Sequence, residues 1–261
     1  MPLLIGTSGW QYRDWRGCFY PAGLATSRWL EQYATQFPTV ENNGTFYRLA
    51  KQDTFADWRV RTPDGFVMAI KASRYLTHIR RLRDPAEPVA RLLGAAAGLG
   101  DRLGPILVQL PPTMQAAPDL LGACLAEFPA AARTLKITEP RICVEFRHRS
   151  WETDEIRGIL TRHNAALCWS DRLGRPQGPL WRTADWGYIR FHEGAGSPWP
   201  RYGPDSLKSW LSRVGAGFPA EASVFAFFNN DQNGAAPADA AALAAIADRS
   251  GWPVGRPTPA H

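Results

Sequence analysis

Short apolar runs alternate with helical patterns along almost the whole chain. Residues 3–8 read as a first strand and 27–35 as the helix that follows it. Residues 39–43 and 66–71 are the second and third strands, with helices at 53–61 and 88–99. Asp53 stands where an N-cap is expected, because its carboxylate can accept an unpaired first-turn N–H. Residues 105–110 form a fourth strand, closed by Pro111 and Pro112, which have no N–H to extend a ladder. Residues 117–127 are helical, 141–146 a fifth strand, 152–163 its helix and 165–170 a sixth strand. Residues 188–192 form a seventh strand, 204–214 its helix, 223–228 an eighth strand and 237–249 the last helix.

This rhythm implies parallel strands joined by crossover helices. Runs such as ILVQL and SVFAFF suit strands covered on both faces. Eight such units predict one α/β domain, a closed (β/α)8 TIM barrel, over residues 1–252, with a flexible tail at 253–261. One unit departs from the ideal. Between Asp171 and Gly187 the chain reads RLGRPQGPLWRTADW, rich in Gly, Pro and Arg, so the sixth helix is expected to be reduced or missing. A doubly wound open sheet competes with the barrel, but GTSGW after the first strand lacks the G-x-G-x-x-G spacing of that fold.

In a barrel, polar residues at the C-terminal strand ends face the active-site mouth. Here those positions carry Ser8 with Trp10 beyond it, Glu41 and Asn43, Lys71, Gln109, Glu145 with Arg147, Ser170 with Asp171, Arg190 with His192, and Asn229. Side chains two apart on a strand share a face. Glu145 and Arg147 therefore point the same way, as do Arg190 and His192, while Phe146 and Phe191 suit the strand–helix interface. An inward charge is costly unless paired, so Lys71, Arg147 and Arg190 are the expected partners of Glu41 and Glu145. His148, next to Ser150 and Trp151 at a helix start, reads as structural. Among the 11 Trp, most are expected to pack, whereas Trp10 and Tyr47 are placed to stack on a ring or sugar.

The formal net charge of +6 favours anionic partners. Part of it lies in THIRRLRD, where Arg80, Arg81 and Arg83 form a basic rim. The four cysteines contain no C-x-x-C pair, which argues against zinc ribbons and thioredoxin-like chemistry; Cys143 and Cys168 read as small core residues. The opening MPLLIGTSGW has no basic leader, and no apolar run approaches the roughly 18 residues of a membrane span. A cytoplasmic location and no membrane partner are therefore expected.

The blocks GTSGWQYRDWRGCFYP, TVENNGTFYRL, FVMAIKASRYLTH, LGPILVQLPP, RICVEFRHRSW, GYIRFHEG and FAFFNNDQNGAAPADA follow in this order from Gly6 to Ala240. In them the chain resembles the YecE-like family, a domain of unknown function. The resemblance implies a TIM barrel and names no reaction, cofactor or substrate. It places Glu41, Lys71, Gln109, Glu145, Arg147, Arg190, His192 and Asn229 at the family's polar positions. Two departures stand out: Asn42 and Gly44 replace an Ile and a Ser, and EGAGSPWPRY is longer than the usual loop after the seventh strand.

Three functions fit these residues. The first is an enzyme, of hydrolase, lyase or isomerase type, acting on a small anionic or phosphorylated substrate. Arg147 and Arg190 would clamp the anion, with Glu41, Glu145, His192 and Lys71 as candidate catalytic groups. Ser8, Trp10, Asn43, Tyr47, Gln109 and Asn229 would line the binding site. The second is a nucleic-acid-binding or repair-nuclease-like barrel using the basic rim. Glu41, Glu145, Asp171, His192 and Asp231 are a thin set for a metal-dependent nuclease, and no metal site is assigned. The third is a ligand sensor without catalysis.

Overall fold

The computed structural model describes residues 3–257. Its architecture is the barrel the periodicity predicts. The strands are β1 (Leu3–Ser8), β2 (Thr39–Asn42), β3 (Val67–Lys71), β4 (Leu103–Gln109), β5 (Ile142–Glu145), β6 (Ala166–Arg172), β7 (Gly187–Phe191) and β8 (Val224–Phe228). All eight run parallel, each pairing with its sequence neighbour, and β8 closes on β1 from Leu3↔Val224 to Thr7↔Phe228. The surrounding helices are α1 (Trp29–Ala34), α2 (Gln52–Val60), α3 (Ala86–Ala96), α4 (Pro118–Leu135), α5 (Asp154–Arg162), α6 (Pro204–Gly217) and α7 (Ala235–Arg249). Among the described residues, no helix is long and apolar enough to cross a membrane.

Strand alternation splits the apolar residues into two cores. Ala69, Leu107, Cys143, Cys168, Tyr188 and Phe227 fill the barrel interior. Ile70, Val108, Val144, Ile189 and Phe228 point outward and pack under the helices. The closest strand approach needs a glycine: a Cβ on Gly6 would lie 2.1 Å from the Thr39 carbonyl oxygen of β2.

No helix follows β6. The chain turns at Gly174 into a two-residue antiparallel strand, Arg175–Pro176, and then runs irregularly to β7. This is the unit whose composition could not supply an apolar helical face.

Three local expectations are corrected. Lys51, not Asp53, precedes the first turn of α2, and Asp53 lies within that turn. α4 does not stop at 127. It continues through Pro129 because Leu121, Leu125, Phe128 and Ala132 keep a 3.6-residue apolar stripe against the sheet. The tail expected to fray from 253 instead docks on β1. Leu3 N–H donates to the Pro253 carbonyl at 2.8 Å, and Gly255 N–H to the Leu3 carbonyl at 2.9 Å. Residues 258–261 lie outside the described part.

Candidate active site

The inward strand ends converge on a buried ionic cluster. Arg190, on β7, donates NH1 to Glu145 Oε2 at 2.7 Å and NH2 to Glu41 Oε1 at 2.9 Å. The other Glu41 oxygen accepts from Tyr188 OH at 2.5 Å. Glu145, at the end of β5, also accepts from Gln109 Nε2 at 3.0 Å and Ser170 Oγ at 3.2 Å. Arg147 NH2 reaches Glu145 Oε1 at 2.5 Å, and His192 Nε2 reaches the same oxygen at 2.9 Å. Glu41, Glu145 and Arg190 are all buried.

Burial alone would raise the Glu145 pKa. Arg190, His192 and Arg147 overcome that and hold the carboxyl well below the usual range. Burial would likewise weaken the charge on Arg190, but Glu41 and Glu145 push its pKa well up. Glu145 and Arg190 are therefore held charged, and every carboxylate oxygen of Glu41 and Glu145 has at least one donor.

The outer layer is less occupied. Lys71 closes β3 and is 9% exposed, with its Nζ 4.3 Å above the Phe46 ring. Among the described residues, no hydrogen bond or ion pair holds this ammonium. Burial, and then repulsion by Arg190, bring its pKa down to about 8. Arg147 keeps part of its guanidinium in solvent, with its side chain 36% exposed. His192 is held on both sides, since its Nδ1 lies 3.3 Å from Asn229 Nδ2. Burial lowers its pKa, so the ring is neutral at pH 7. With Asn229 Nδ2 donating to Nδ1, the proton sits on Nε2 and is given to Glu145; Arg147 NH2, 2.9 Å from the same Nε2, is then a close contact and not a donor to it. Ser8 Oγ and Asn43 Oδ1 are buried with no protein partner.

A cavity of about 860 Å³ opens beside this cluster, with Gln109, Arg147, Ser170 and His192 in its wall. His78 also lines it and meets Phe46 in a T-shaped contact, with ring centres 4.9 Å apart.

The structure thus brings together Glu41, Lys71, Gln109, Glu145, Arg147, Arg190, His192 and Asn229. Trp10 does not join them. It is 4% exposed and packs edge-on against Trp58 in the core, while Tyr47 is 82% exposed at the rim. Asp171 faces away from the barrel axis, where Tyr202 OH and Trp210 Nε1 donate to its carboxylate. His148 accepts from the Ser150 N–H at a turn and also lines the cavity. Of the basic rim, Arg80 pairs with Asp84 and Arg81 donates to Thr113 Oγ1. Among the described residues, no group of three His, Cys, Asp or Glu side chains is placed to hold a metal ion.

Tyr188 and Phe46 were missed. Tyr188 carried a signal, because it precedes Arg190 by two and so shares its inward face. Phe46 carried none, since it lies in a helical turn (Gly44–Tyr47) whose direction the strand pattern does not set.

Comparison with known proteins agrees with this architecture. The family profile described as "Protein of unknown function DUF72" matches residues 4–261. UPF0759 protein YunF of Bacillus subtilis (strain 168) is 25% identical over 264 residues, covering 89% of this chain and 90% of YunF. UPF0759 protein YecE of Escherichia coli (strain K12) is 32% identical over 111 residues, 42% of this chain. That alignment spans only 38% of YecE's own length. The crystal structure of a DUF72 family protein from Thermotoga maritima aligns with a TM-score of 0.77 at 24% identity, covering 95% of this chain and all of that one, a likeness of fold. With the profile spanning almost every residue, the chain belongs to the DUF72 family.

Proposed function

We propose that this chain is an enzyme that binds a small anionic substrate at the barrel mouth, with Arg147 and Lys71 as its cationic contacts and Lys71 as its proton-transfer group. The observation that carries the reading is Lys71: a buried ammonium at a strand end with no carboxylate in direct ion-pair contact, separated by the Phe46 ring from His78 in the wall of an open cavity. Desolvating such a group is unfavourable, and packing alone would be better served by Met or Leu. With His192 neutral, Arg147, Arg190 and Lys71 stand against two carboxylates, Glu41 and Glu145. These five groups therefore leave one uncompensated positive charge, which an incoming carboxylate or phosphate would neutralise.

In this reading the inner residues are positioning groups. Glu41 and Tyr188 hold Arg190, and Arg190 holds Glu145. Glu145 then orients Arg147 and His192 toward the cavity. Glu145 is too strongly held in its ionised form to serve as a general base. Lys71, with its pKa near 8, is close to the value that favours proton transfer near neutral pH. As an ammonium it can also stabilise an oxyanion that develops during reaction. Ser8 Oγ and Asn43 Oδ1 offer further polar contacts. A small anion is favoured over nucleic acid because the cations of the THIRRLRD rim are already engaged in part by Asp84 and Thr113.

Titration calorimetry with inorganic phosphate and short dicarboxylates tests the reading. Arg147→Ala and Lys71→Met are expected to weaken binding at least tenfold while the circular dichroism spectrum is retained. Unchanged affinity in both variants would remove the proposal. Duplex DNA binding that falls steeply with salt would replace it with the nucleic-acid reading.

A further inference from the structure

We infer that the substrate carries a flat aromatic or heteroaromatic body beside its anionic group, and that this body seats where the barrel lacks its sixth helix. The inference rests on the anion site proposed above. β5 and β6 pair at Cys143↔Ala166 and Val144↔Leu167, and beyond that the ladder gives way to a single side-chain bridge from Ser170 Oγ to Glu145. By contrast, β4 and β5 stay paired to Gln109↔Glu145. With no helix after β6 to cover the gap, the cavity extends from Arg147, Ser170 and His192 into the space between the two strands. There Leu167, Phe146 and Trp181 form its wall.

Both aromatic walls are built rather than loose. Phe146 stacks on Trp151, with centres 4.7 Å apart and planes 9° apart. Trp151 is fully buried, and its Nε1 donates to the Met114 carbonyl at 2.8 Å. The Trp181 carbonyl accepts from Trp169 Nε1 at 3.0 Å, and the Arg157 guanidinium lies 6.0 Å from the Trp181 ring centre. Phe146 and Trp181 are themselves only partly buried, so each offers ring surface to the cavity. Proline side chains on the facing lip, Pro112 and Pro179, add rigid apolar surface.

Size gives the second argument. About 860 Å³ is the volume of a pocket for a drug-sized ligand, far more than one phosphate or carboxylate needs. The polar end is charged and the other end is aromatic. A guest matching both ends is an aryl-bearing carboxylate or phosphate, its ring stacked in the slot and its anion toward Arg147 and Lys71.

The test compares inorganic phosphate, cyclohexylmethyl phosphate, benzyl phosphate and naphthylmethyl phosphate by calorimetry on the full chain. Stacking predicts that naphthylmethyl phosphate binds roughly tenfold or more tightly than inorganic phosphate, and benzyl phosphate more tightly than its cyclohexyl counterpart. The gain is expected to be lost in Trp181→Ala and, as a gentler change, in Phe146→Leu, while both variants still bind inorganic phosphate as the parent does. Equal affinities for the four probes, or a gain that survives in both variants, would overturn the aromatic slot and leave the anion site standing. Failure of the parent to bind any of the four would overturn the anion site itself, and this inference with it.

Discussion

Replacing Lys71 with Met is expected to make the protein more stable while disabling the site. The lysine is 9% exposed, has no carboxylate within ion-pair distance, and has its pKa brought from the usual 10.5 down to about 8. A change of that size is worth roughly 3 kcal/mol at about 1.4 kcal/mol for each factor of ten. It measures how much the fold disfavours the ammonium relative to the neutral amine. Methionine has a similar length and no charge, so Lys71→Met should recover most of that, about 2–3 kcal/mol at pH 7. For a domain of this size the melting temperature should rise by roughly 5–10 °C. The sign of the pH dependence follows from linkage. Below pH 8 both folded and unfolded lysine are protonated, and the penalty is present in full. Between about 8 and 10.5 the unfolded chain holds the proton and the native one does not, so the parent gains stability as pH rises. Urea unfolding of parent and variant at pH 7, 8.5 and 10 should show the gap closing from low to high pH. A variant less stable than the parent at pH 7, or a gap that does not change with pH, would refute the reasoning.

Other expectations concern the groups around it. Arg190→Met leaves Glu41 and Glu145 buried together without their shared cation, and should destabilise the barrel by roughly 3–5 kcal/mol in urea unfolding. Because Glu145 titrates below its ordinary range, it contributes stability that is present above about pH 4.5 and lost as pH falls through its native value. The stability difference between the parent and Glu145→Gln should therefore shrink on acidification below pH 4.5. Tyr202→Phe removes one of two side-chain donors to the buried Asp171 carboxylate and should cost about 1.5–3 kcal/mol, measured by thermal unfolding, with no effect on anion binding. Nitrogen NMR of the His192 ring should report the Nε2–H tautomer at pH 7; an Nδ1–H signal would mean that Nε2 accepts from Arg147 and that Asn229 presents its oxygen instead.

Much of this arrangement is legible from period two. That rule turns Glu145 and Arg147, and Arg190 and His192, toward one axis; it sends Phe191 to the helices and Phe146 away from the axis onto Trp151 at the cavity wall. It equally covers Tyr188. What it cannot supply is which carboxylate meets which guanidinium. Arg190 joins Glu41 and Glu145 across 149 and 45 residues because of the closed register of the barrel, a long-range property. The rule also fails where a strand ends. Gly9, with φ near +103°, breaks the alternation, so Trp10 turns into the core rather than toward the mouth. The missing sixth helix was readable from Gly and Pro content. The course of α4 through Pro129 was not, since a local breaker yielded to the apolar stripe beneath it.

Closure of β1 on β8 has a consequence for synthesis. The first of these eight strands to leave the ribosome finds one of its two partners only when Val224–Phe228 emerge, some 220 residues later, and its latch at Pro253–Gly255 later still. At roughly 5–20 residues per second, the nascent chain carries that unpaired apolar edge for about 10–45 s. Closure of this barrel is therefore gated by translation through its eighth strand, and slow codons before that point would lengthen the time during which the newborn chain is open to aggregation.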